Sequence, residues 1–396
     1  MSRGPAGPRR RASPPGGGLT GRPPPPAPPR LNLLPRRDFC AYTGHRYGVG
    51  LNSCGVAIFL ALKCVGVRPG DPVLSNVFTF TAVPSAIVHA GATPVYVNCT
   101  PGYVLDVADL ERKMRTSGAK FLVVSHMRGK VSDMDRIAAL CEAHGVTLVE
   151  DCAHSLAVTY KGRHTGHHGK AACFSSQSYK MLNSGEGGFL VTNDDEVAAR
   201  AILYAGSYEK LYAKHLLAPP AAVFEALKAT VPNFSTRMHA VTAAMIRPQI
   251  ATLDERKATY NRRYRRVAAA LDAHPHVSVP RQLPEVGICG DSVQFNLDGV
   301  SPAQVRAFVA ESAALGVPVE IFGAADNARN FVNWRFAEVA ADCDASLAII
   351  QYAVDLRLPL LFEEEDFDTM VDVVLYSLDH ALAADPAAPG APEKSR

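Results

Sequence analysis

The sequence has no uninterrupted apolar run of about 18 residues, the length that a membrane-spanning helix requires. Its most apolar helical segment, residues 56–62, is short and is followed by Lys63. The sequence also has no Gly-x-Gly-x-x-Gly motif after its first predicted strand, so it does not show the pattern of a nicotinamide-binding enzyme. We therefore expect no membrane partner and no dinucleotide cofactor.

The nine cysteines include no C-x-x-C pair, and their number is odd. This spacing argues against a zinc site and against a thiol redox motif. Single cysteines in apolar surroundings are typical of reduced, buried thiols in a reducing compartment. The sequence therefore predicts a cytoplasmic protein without a metal site.

Residues 1–37 have no acidic side chain, although they carry eight of the 41 basic ones, all arginine. The rest of the chain has 33 basic against 38 acidic side chains, so the formal charge of +3 comes from this segment. No basic stripe of the kind that binds nucleic acid is present elsewhere. Because residues 1–37 are rich in proline and glycine, we predict a disordered tail. Its arginines would also suit an organelle transit peptide, which would make the protein organellar.

With 396 residues, of which 47% are apolar, the chain is long enough for two folded domains. Short apolar strands alternate with helical patterns between residues 38 and 206. The predicted strands are 72–74, 94–97, 120–124, 146–149 and 172–174, and the predicted helices are 55–66, 81–90, 107–116, 133–144 and 194–205. This alternation predicts an α/β fold with a mainly parallel sheet that is covered by helices on both faces.

After Ser235, apolar residues recur at helical spacing through about residue 271. A smaller α/β unit follows, with strands at 292–296 and 317–321, a helix after Ser301 and a last helix from Glu365 to about 382. The predicted division is a tail at 1–37, a large domain at 38–250 and a small C-terminal domain at 251–396.

Ligands of open α/β sheets bind beyond the carboxyl ends of the strands, so the polar residues there are candidates for a site. Asp151 follows strand 146–149 and could hold a metal, orient a histidine or pair with a protonated ring nitrogen, with a helix-capping role as the simpler alternative. Lys180 follows strand 172–174. A lysine whose pKa is lowered by its surroundings can act as a nucleophile, although most lysines are ordinary surface residues.

Two weaker candidates lie further towards the N-terminus. Ser53, Cys54 and Gly55 stand at the start of an apolar helix, where backbone N–H groups can bind a phosphate or where the residues merely cap the helix. Phe80 follows strand 72–74, so its ring could stack on a planar cofactor or belong to the core.

In order and spacing these residues resemble the DegT/DnrJ/EryC1/StrS group of fold-type I aminotransferases. The resemblance extends from about residue 38 to 194 and returns more weakly at 233–250 and 355–382. Its most specific parts are Glu150-Asp151-Cys152-Ala153-His154, Lys180 five residues after Ser175, and Gly185-Glu186-Gly187-Gly188. It implies the fold of aspartate aminotransferase-like enzymes, with a large domain that binds pyridoxal 5'-phosphate (PLP).

The resemblance also implies a role for each candidate. Lys180 would hold PLP covalently and move protons, Asp151 would pair with the ring nitrogen, Phe80 would stack on the ring, and His154 would face the ring hydroxyl. The implied phosphate ligands are Ser53, Cys54, Gly55 and Ser175. The family also has an asparagine that reaches the phosphate of a neighbouring subunit; Ser235 stands at that position here, and Asn233, two residues earlier, is the candidate to replace it. Such an enzyme would transfer an amino group from glutamate or glutamine to a keto-sugar or keto-cyclitol, and it would act as a homodimer.

Two features bear on alternatives to this function. In the family, a helix and a Thr/Gly-bearing loop precede the segment that matches residue 38, and here the Pro/Arg-rich tail replaces them. The protein could therefore be a catalytically degenerate regulatory homologue. A PLP-dependent sugar dehydratase or epimerase is the other alternative, but dehydrating relatives carry histidine in place of Lys180. The sequence predicts that loops 207–233 and 322–335 set substrate specificity, and that His164, His167 and His168 lie in an exposed loop without a metal.

Overall fold

The computed structural model describes residues 34–207, 210–337 and 342–384. Most of the predicted tail, residues 1–33, lies outside the described residues. The helices are α1 (Leu34–Thr43), α2 (Cys54–Cys64), α3 (Ala82–His89), α4 (Val107–Thr116), α5 (Met134–His144), α6 (Asp195–Tyr204), α7 (Ala221–Leu227), α8 (Ala240–Ile250), α9 (Leu253–Asp272), α10 (Pro302–Ala314), α11 (Asp344–Ile350) and α12 (Glu364–Ala384). The strands are β1 (Tyr47–Leu51), β2 (Pro72–Asn76), β3 (Thr93–Val97), β4 (Phe121–Ser125), β5 (Thr147–Asp151), β6 (Thr159–Tyr160), β7 (Arg163–His164), β8 (Ala171–Ser175), β9 (Gly188–Thr192), β10 (Val277–Ser278), β11 (Val286–Gly287), β12 (Ser292–Leu297), β13 (Glu320–Ile321) and β14 (Ala353–Arg357).

The largest sheet has seven strands in the order β1-β9-β8-β5-β4-β2-β3. Its strands run parallel except for β9, which is antiparallel to both β1 and β8. Successive residues of β4 point to opposite faces, so that Leu122 and Val124 enter one buried core while Val123 enters the other. Because helices cover both faces, such strands are apolar throughout. The predicted α/β fold with a mainly parallel, helix-covered sheet is confirmed.

Helix α1 corrects the predicted N-terminal boundary, because residues 34–37 belong to a helix and not to a tail. Arg36 is buried, and its guanidinium donates to the carbonyl of Gly50 at 3.4 Å. Phe39 stacks on Phe189 of β9 with ring centroids 4.2 Å apart. The start of this helix was not predicted because the sequence up to residue 37 is dominated by proline and arginine. The residues against which the helix packs are also far away in the sequence.

A second sheet, antiparallel throughout, has the order β10-β12-β14-β13 and encloses its own core with α9, α10 and α12. The helical pattern after Ser235 is resolved into two helices, α8 and α9, instead of one. Strand β14 was not predicted, and the strand predicted at 317–321 is reduced to β13. The end of α8 coincides with the predicted boundary at residue 250, although the division into domains stays a prediction. None of the described helices is long and apolar enough to cross a membrane.

The parallel strands bring three polar residues to one edge of the large sheet. Ser125 at the end of β4 is in register with Asp151 at the end of β5, and β8 ends beside them at Ser175. This is the edge at which open α/β sheets bind their ligands.

Candidate active site

A cavity of about 740 Å³ opens at this edge of the sheet. Its volume is that of a typical small-molecule site. Eight of the nine residues predicted from the sequence line it, namely Ser53, Cys54, Gly55, Phe80, Asp151, His154, Ser175 and Lys180. The structure thus brings together residues that are up to 127 positions apart in the sequence. Their individual roles stay predictions.

Asp151 lies at the buried side of the cavity. One of its carboxylate oxygens accepts a hydrogen bond from the Ser125 hydroxyl at 2.7 Å, and the other accepts one from the backbone N–H of Ala153 at 3.1 Å. Burial raises the pKa of Asp151, while these hydrogen bonds and the charge of Lys180 oppose that shift. A carboxylate held in this way is suited to pair with a cationic group of a ligand.

Lys180 lies opposite Asp151 in the same cavity, and its Nζ is 2.8 Å from Nε2 of His154. Burial, and to a smaller extent the positive charge of Arg128, lowers the pKa of Lys180 to about 7. Burial likewise lowers the pKa of His154 far below its ordinary value, so the imidazole is neutral and can accept a hydrogen bond from the amine. A substantial fraction of Lys180 is therefore uncharged near neutral pH, and in this form the amine can act as a nucleophile.

The N-terminus of α2 forms another wall. Ser53 caps this helix, since its hydroxyl oxygen accepts from the backbone N–H of Val56 at 3.1 Å. The capping role and the phosphate-binding role considered for this residue are compatible, because the cap leaves the backbone N–H groups of Cys54 and Gly55 at the cavity. Unpaired N–H groups and the helix dipole together favour an anion at such a position.

Gly188 of β9 allows α2 to approach the sheet. A Cβ atom added to this residue would lie 2.6 Å from the backbone nitrogen of Cys54, closer than real contacts allow. We expect Gly188→Ala to displace the start of α2 and to weaken the binding of a phosphate-bearing ligand at least about tenfold, with a stability loss of about 1–3 kcal/mol. Fluorescence titration with PLP and thermal unfolding measure the two effects.

Gly102→Ala is the control for this prediction, because a Cβ atom there would meet nothing closer than 3.5 Å. An affinity for PLP in Gly188→Ala equal to that of Gly102→Ala would contradict the close approach of α2 to β9.

Phe80 is 39% exposed, so one part of its ring is free to contact a ligand in the cavity. The guanidinium of Arg329 lies over this ring at 5.6 Å from the centroid. At the other side of the cavity, the hydroxyl oxygen of Ser175 accepts a hydrogen bond from the backbone N–H of Gln177 at 3.3 Å. Phe80 is therefore not a core residue, the alternative considered for it from the sequence.

Asn233, the ninth predicted residue, does not line the cavity. Its side chain is exposed, and its amide oxygen accepts a hydrogen bond from the backbone N–H of Ser235 at 2.7 Å. Loop 322–335 contributes Arg329 to the cavity, whereas no described residue of 207–233 lines it.

Three arginines that line the cavity were not predicted from the sequence, namely Arg128, Arg329 and Arg357. Arg128 lies three residues beyond the end of β4, and Arg357 is the last residue of β14. Arg128 lies four residues beyond the end of the predicted strand 120–124, so the rule that polar residues after strands form the site could have identified it. Arg357 could not be found in this way because β14 was not predicted.

The turn that contains His164, His167 and His168 is half-buried, which corrects the expectation of an exposed loop. His167 stacks on His45 with ring centroids 3.8 Å apart and hydrogen-bonds the carbonyl of Thr43 at 2.7 Å. Helix α1 supplies this contact, and the sequence gave no sign that the two segments meet.

Glu150 ties the same turn to the sheet. One carboxylate oxygen accepts from the backbone N–H groups of His168 and Gly169, at 2.7 and 2.8 Å. The other accepts from the backbone of Gly166 at 2.9 Å and lies 3.0 Å from Nε2 of His126. His126, Glu150 and Cys152 place candidate ligand atoms within 4.8 Å of one another, yet both oxygens of this carboxylate already have partners.

We expect Glu150→Gln to destabilise the fold by about 3 kcal/mol. The new amide nitrogen is itself a hydrogen-bond donor, so it cannot accept from the N–H groups that now bind the carboxylate. Burial raises the pKa of Glu150, but the interactions with His126 and Gly169 outweigh it and lower the pKa from 4.5 to about 2. The carboxylate's stabilisation is therefore complete above about pH 4.5 and is lost as the pH falls towards 2. Urea unfolding between about pH 2 and pH 7, a range that includes this window, measures it.

Glu111→Gln serves as the surface control, since Glu111 forms only an exposed ion pair with Arg115. Equal stability of the two variants at neutral pH would show that Glu150 does not hold the turn.

The fold, with its mainly parallel seven-stranded sheet, is that of solved aminotransferase structures, among them TlmJ of Streptoalloteichus hindustanus. The DegT/DnrJ/EryC1/StrS aminotransferase family matches residues 36–375. The chain belongs to this family, as the order of its motifs predicted.

Two curated relatives are similar over parts of their length. The spore coat polysaccharide biosynthesis protein SpsC of Bacillus subtilis is 40% identical over 163 residues, which are 41% of this chain and 42% of that protein. The L-glutamine:2-deoxy-scyllo-inosose aminotransferase of Streptoalloteichus tenebrarius is 39% identical over 165 residues, 41% of this chain and 39% of that protein. The matched part of the chain thus spans less than half the length of these relatives.

Solved structures share the fold over nearly the whole chain. The crystal structure of 3-amino-5-hydroxybenzoic acid synthase has a TM-score of 0.76 at 24% identity, covering 88% of this chain and 91% of that one. A GDP-4-keto-6-deoxymannose-3-dehydratase also has a TM-score of 0.76, at 16% identity, covering 87% and 92%. The fold alone therefore does not distinguish amino transfer from dehydration.

Proposed function

We propose that this protein is a PLP-dependent aminotransferase that transfers an amino group from glutamate or glutamine to a keto-sugar or keto-cyclitol. The observation that carries this proposal is the cavity in which Lys180, with its pKa lowered to about 7, shares a site with the buried carboxylate of Asp151. Membership of the aminotransferase family and the L-glutamine-dependent relative support it.

The residues of the cavity fit PLP. Asp151 would hold the ring nitrogen, Phe80 would cover a ring face, and His154 would face the ring hydroxyl. The N–H groups at the start of α2 and the Ser175 hydroxyl would hold the phosphate. When bound, PLP supplies an electron sink that stabilises negative charge on the substrate carbon.

The chain's own residues supply the proton transfers and the electrostatics. Lys180, uncharged for much of the time near neutral pH, can accept a proton at Nζ and return it to the substrate. The neutral imidazole of His154 orients this amine by accepting from it. The carboxylate of Asp151 favours a positive charge on a group beside it, because opposite charges stabilise each other strongly in a buried site.

Lys180 also separates this function from the two alternatives. A dehydratase of this fold would carry histidine at this position by the family resemblance, whereas Lys180 retains the amine that amino transfer uses. A regulatory homologue would have no need to keep a lysine with a lowered pKa opposite a buried carboxylate. The homodimer and the cytoplasmic location remain predictions, and the nine free, buried cysteines of the described chain support a reducing compartment.

A half-reaction screen tests the proposal. Purified protein incubated with PLP is expected to show a visible absorption band that borohydride fixes to the chain. Glutamine or glutamate should convert this band to that of the aminated cofactor, and a keto-sugar or keto-cyclitol should restore it. Protein that takes up no PLP would refute the proposal, and bound PLP that no amino donor converts would favour the regulatory homologue.

A further inference from the structure

Asn76, the last residue of β2, is a buried amide that does not line the cavity. Strands β2, β4 and β5 are neighbours in the large sheet, so Asn76, Ser125 and Asp151 end three adjacent strands. Their polar side chains form one row along the carboxyl edge of the sheet. The row leads from Asn76, outside the cavity, to the carboxylate at its buried side.

The Asn76 amide binds both backbone groups of Ser125. Its oxygen accepts a hydrogen bond from the N–H of Ser125 at 2.9 Å, and its nitrogen donates to the carbonyl of the same residue at 3.2 Å. An amide side chain carries a donor group beside an acceptor group, which matches the two groups of a peptide backbone. Asn76 therefore fixes the position of the Ser125 backbone.

This contact continues a backbone ladder that has already ended. The parallel pairing of β2 with β4 stops at Ser75 and Val123, whereas the pairing of β2 with β3 continues to Asn76. Ser125 is buried, and its N–H and carbonyl on the side of β2 would lose these partners without the Asn76 side chain. Because unpaired backbone groups are costly inside a protein, the end of β4 would shift or admit water.

Ser125 passes the restraint on to Asp151. Its hydroxyl donates to one carboxylate oxygen of Asp151 at 2.7 Å. The next residue, His126, donates its backbone N–H to the carbonyl of Asp151 at 3.0 Å. The end of β4 is thus held by Asn76 on one side and bonded to Asp151 on the other, so a shift of Ser125 would move its hydroxyl away from the carboxylate.

Asn76 also begins the segment that leads to Phe80, which lines the cavity four residues later. The three residues between them are at most 1% exposed, so the core fixes this segment. Asn76 therefore connects the ring that would cover PLP with the carboxylate that would hold the ring nitrogen.

We propose that Asn76 is a positioning residue for amino transfer. By holding Ser125, it keeps the Asp151 carboxylate in the orientation that pairs with the ring nitrogen of bound PLP. A charge that is aligned in advance contributes strongly to catalysis, and a small displacement weakens it. The inference rests on the proposed function, because it takes Asp151 as the partner of that nitrogen.

The glutamine half-reaction of Asn76→Leu tests the proposal. Leucine has the same number of side-chain heavy atoms as asparagine, but it can neither donate nor accept a hydrogen bond. Each rate is divided by the amount of PLP that borohydride fixes to the chain, so that unfolded protein does not count. We expect the rate at saturating glutamine to fall about tenfold and the KM for glutamine to stay within about twofold, since Asp151 acts on the cofactor and not on donor binding.

A double-mutant cycle with Ser125→Ala shows whether Asn76 acts through Ser125. The variant that combines Asn76→Leu with Ser125→Ala should be about as slow as Ser125→Ala alone, on the order of tenfold below the wild type. Independent effects would multiply to about 100-fold, and that result would overturn the proposal. A rate for Asn76→Leu within about twofold of the wild type would overturn it as well.

Asn98→Leu is the matched control. Asn98 follows β3, and its amide donates to the carbonyl of Asp342 at 2.9 Å and accepts from the hydroxyl of Ser346 at 2.6 Å. Since Asn98 has no contact with Ser125 and lies outside the cavity, its loss should leave the half-reaction within about twofold of the wild type. Equal slowing in Asn98→Leu and Asn76→Leu would mean that any amide at this edge has the same effect, which contradicts a specific role of Asn76.

Asn76→Ala, which leaves space in place of the amide, is measured in parallel in case leucine prevents folding, and the same slowing is expected. If neither variant folds, Asn76 serves the fold alone and the proposal is overturned. Wild-type protein that binds PLP but does not react with glutamine would contradict the proposed function instead.

Discussion

Lys180→Met is expected to abolish covalent attachment of PLP and to reduce amino transfer at least about 10³-fold, the loss that removal of a positioned acid–base group brings. The reason is that the pKa of Lys180, lowered to about 7 by burial and by Arg128, suits this amine to the two roles that we propose for it, nucleophile and proton carrier. Borohydride treatment followed by mass spectrometry of the chain measures attachment, and the half-reaction with glutamine measures transfer.

Lys130→Met is the matched control. Lys130 is also buried, burial lowers its pKa to about 8, and its Nζ lies 3.4 Å from the carbonyl of Pro280, outside the cavity. A folded Lys130→Met protein should keep the borohydride-fixed cofactor. Retention of that cofactor by Lys180→Met, or its loss from both variants alike, would show that Lys180 is not the anchor.

Asp151→Asn should leave PLP attached to Lys180 but slow amino transfer by about 10²- to 10³-fold, since it removes the charge that would pair with the ring nitrogen of bound PLP. The amide keeps the size of the carboxylate and can still contact Ser125 and the backbone of Ala153. What it loses is the negative charge that would keep the ring nitrogen protonated. Stopped-flow absorbance of the half-reaction with glutamine gives the rate, and the PLP band confirms loading.

Ser125→Ala separates the charge of Asp151 from its positioning. This variant removes the 2.7 Å hydrogen bond to the carboxylate but retains the carboxylate itself. We expect its rate to fall by about tenfold, less than that of Asp151→Asn, because a hydrogen bond to a charged group is worth less than the charge. A rate for Asp151→Asn close to that of the wild type would mean that Asp151 has only a structural role in the turn after β5.

The sequence alone predicted most of the large sheet because parallel strands that are buried on both faces are apolar along their whole length. The strands that end at Asn76, Ser125, Asp151 and Ser175 were placed to within a few residues. Strands β1 and β9 were missed, because β1 contains two glycines, while β9 follows a glycine-rich turn. Short, glycine-containing strands have little pattern of their own and depend on their neighbours for stability.

The candidate site was predicted for a related reason. In a parallel sheet, the carboxyl ends of neighbouring strands meet at one edge, so polar residues that follow predicted strands converge there. Asp151 and Lys180 could therefore be placed in one site from the sequence. The family resemblance added a role for each of them, which the strand pattern could not do.

The sequence by itself thus determined the fold of the large sheet, the family, and the pair formed by Lys180 and Asp151. Only the tertiary structure decided the remainder of the cavity. Arg329 lies in a loop and Arg357 at the end of a strand, both more than 140 residues beyond Lys180 in the sequence. The local sequence pattern does not predict contacts between residues that are so far apart. The lowered pKa of Lys180 was likewise decided by packing, since burial and the approach of Arg128 arise only when the chain is folded.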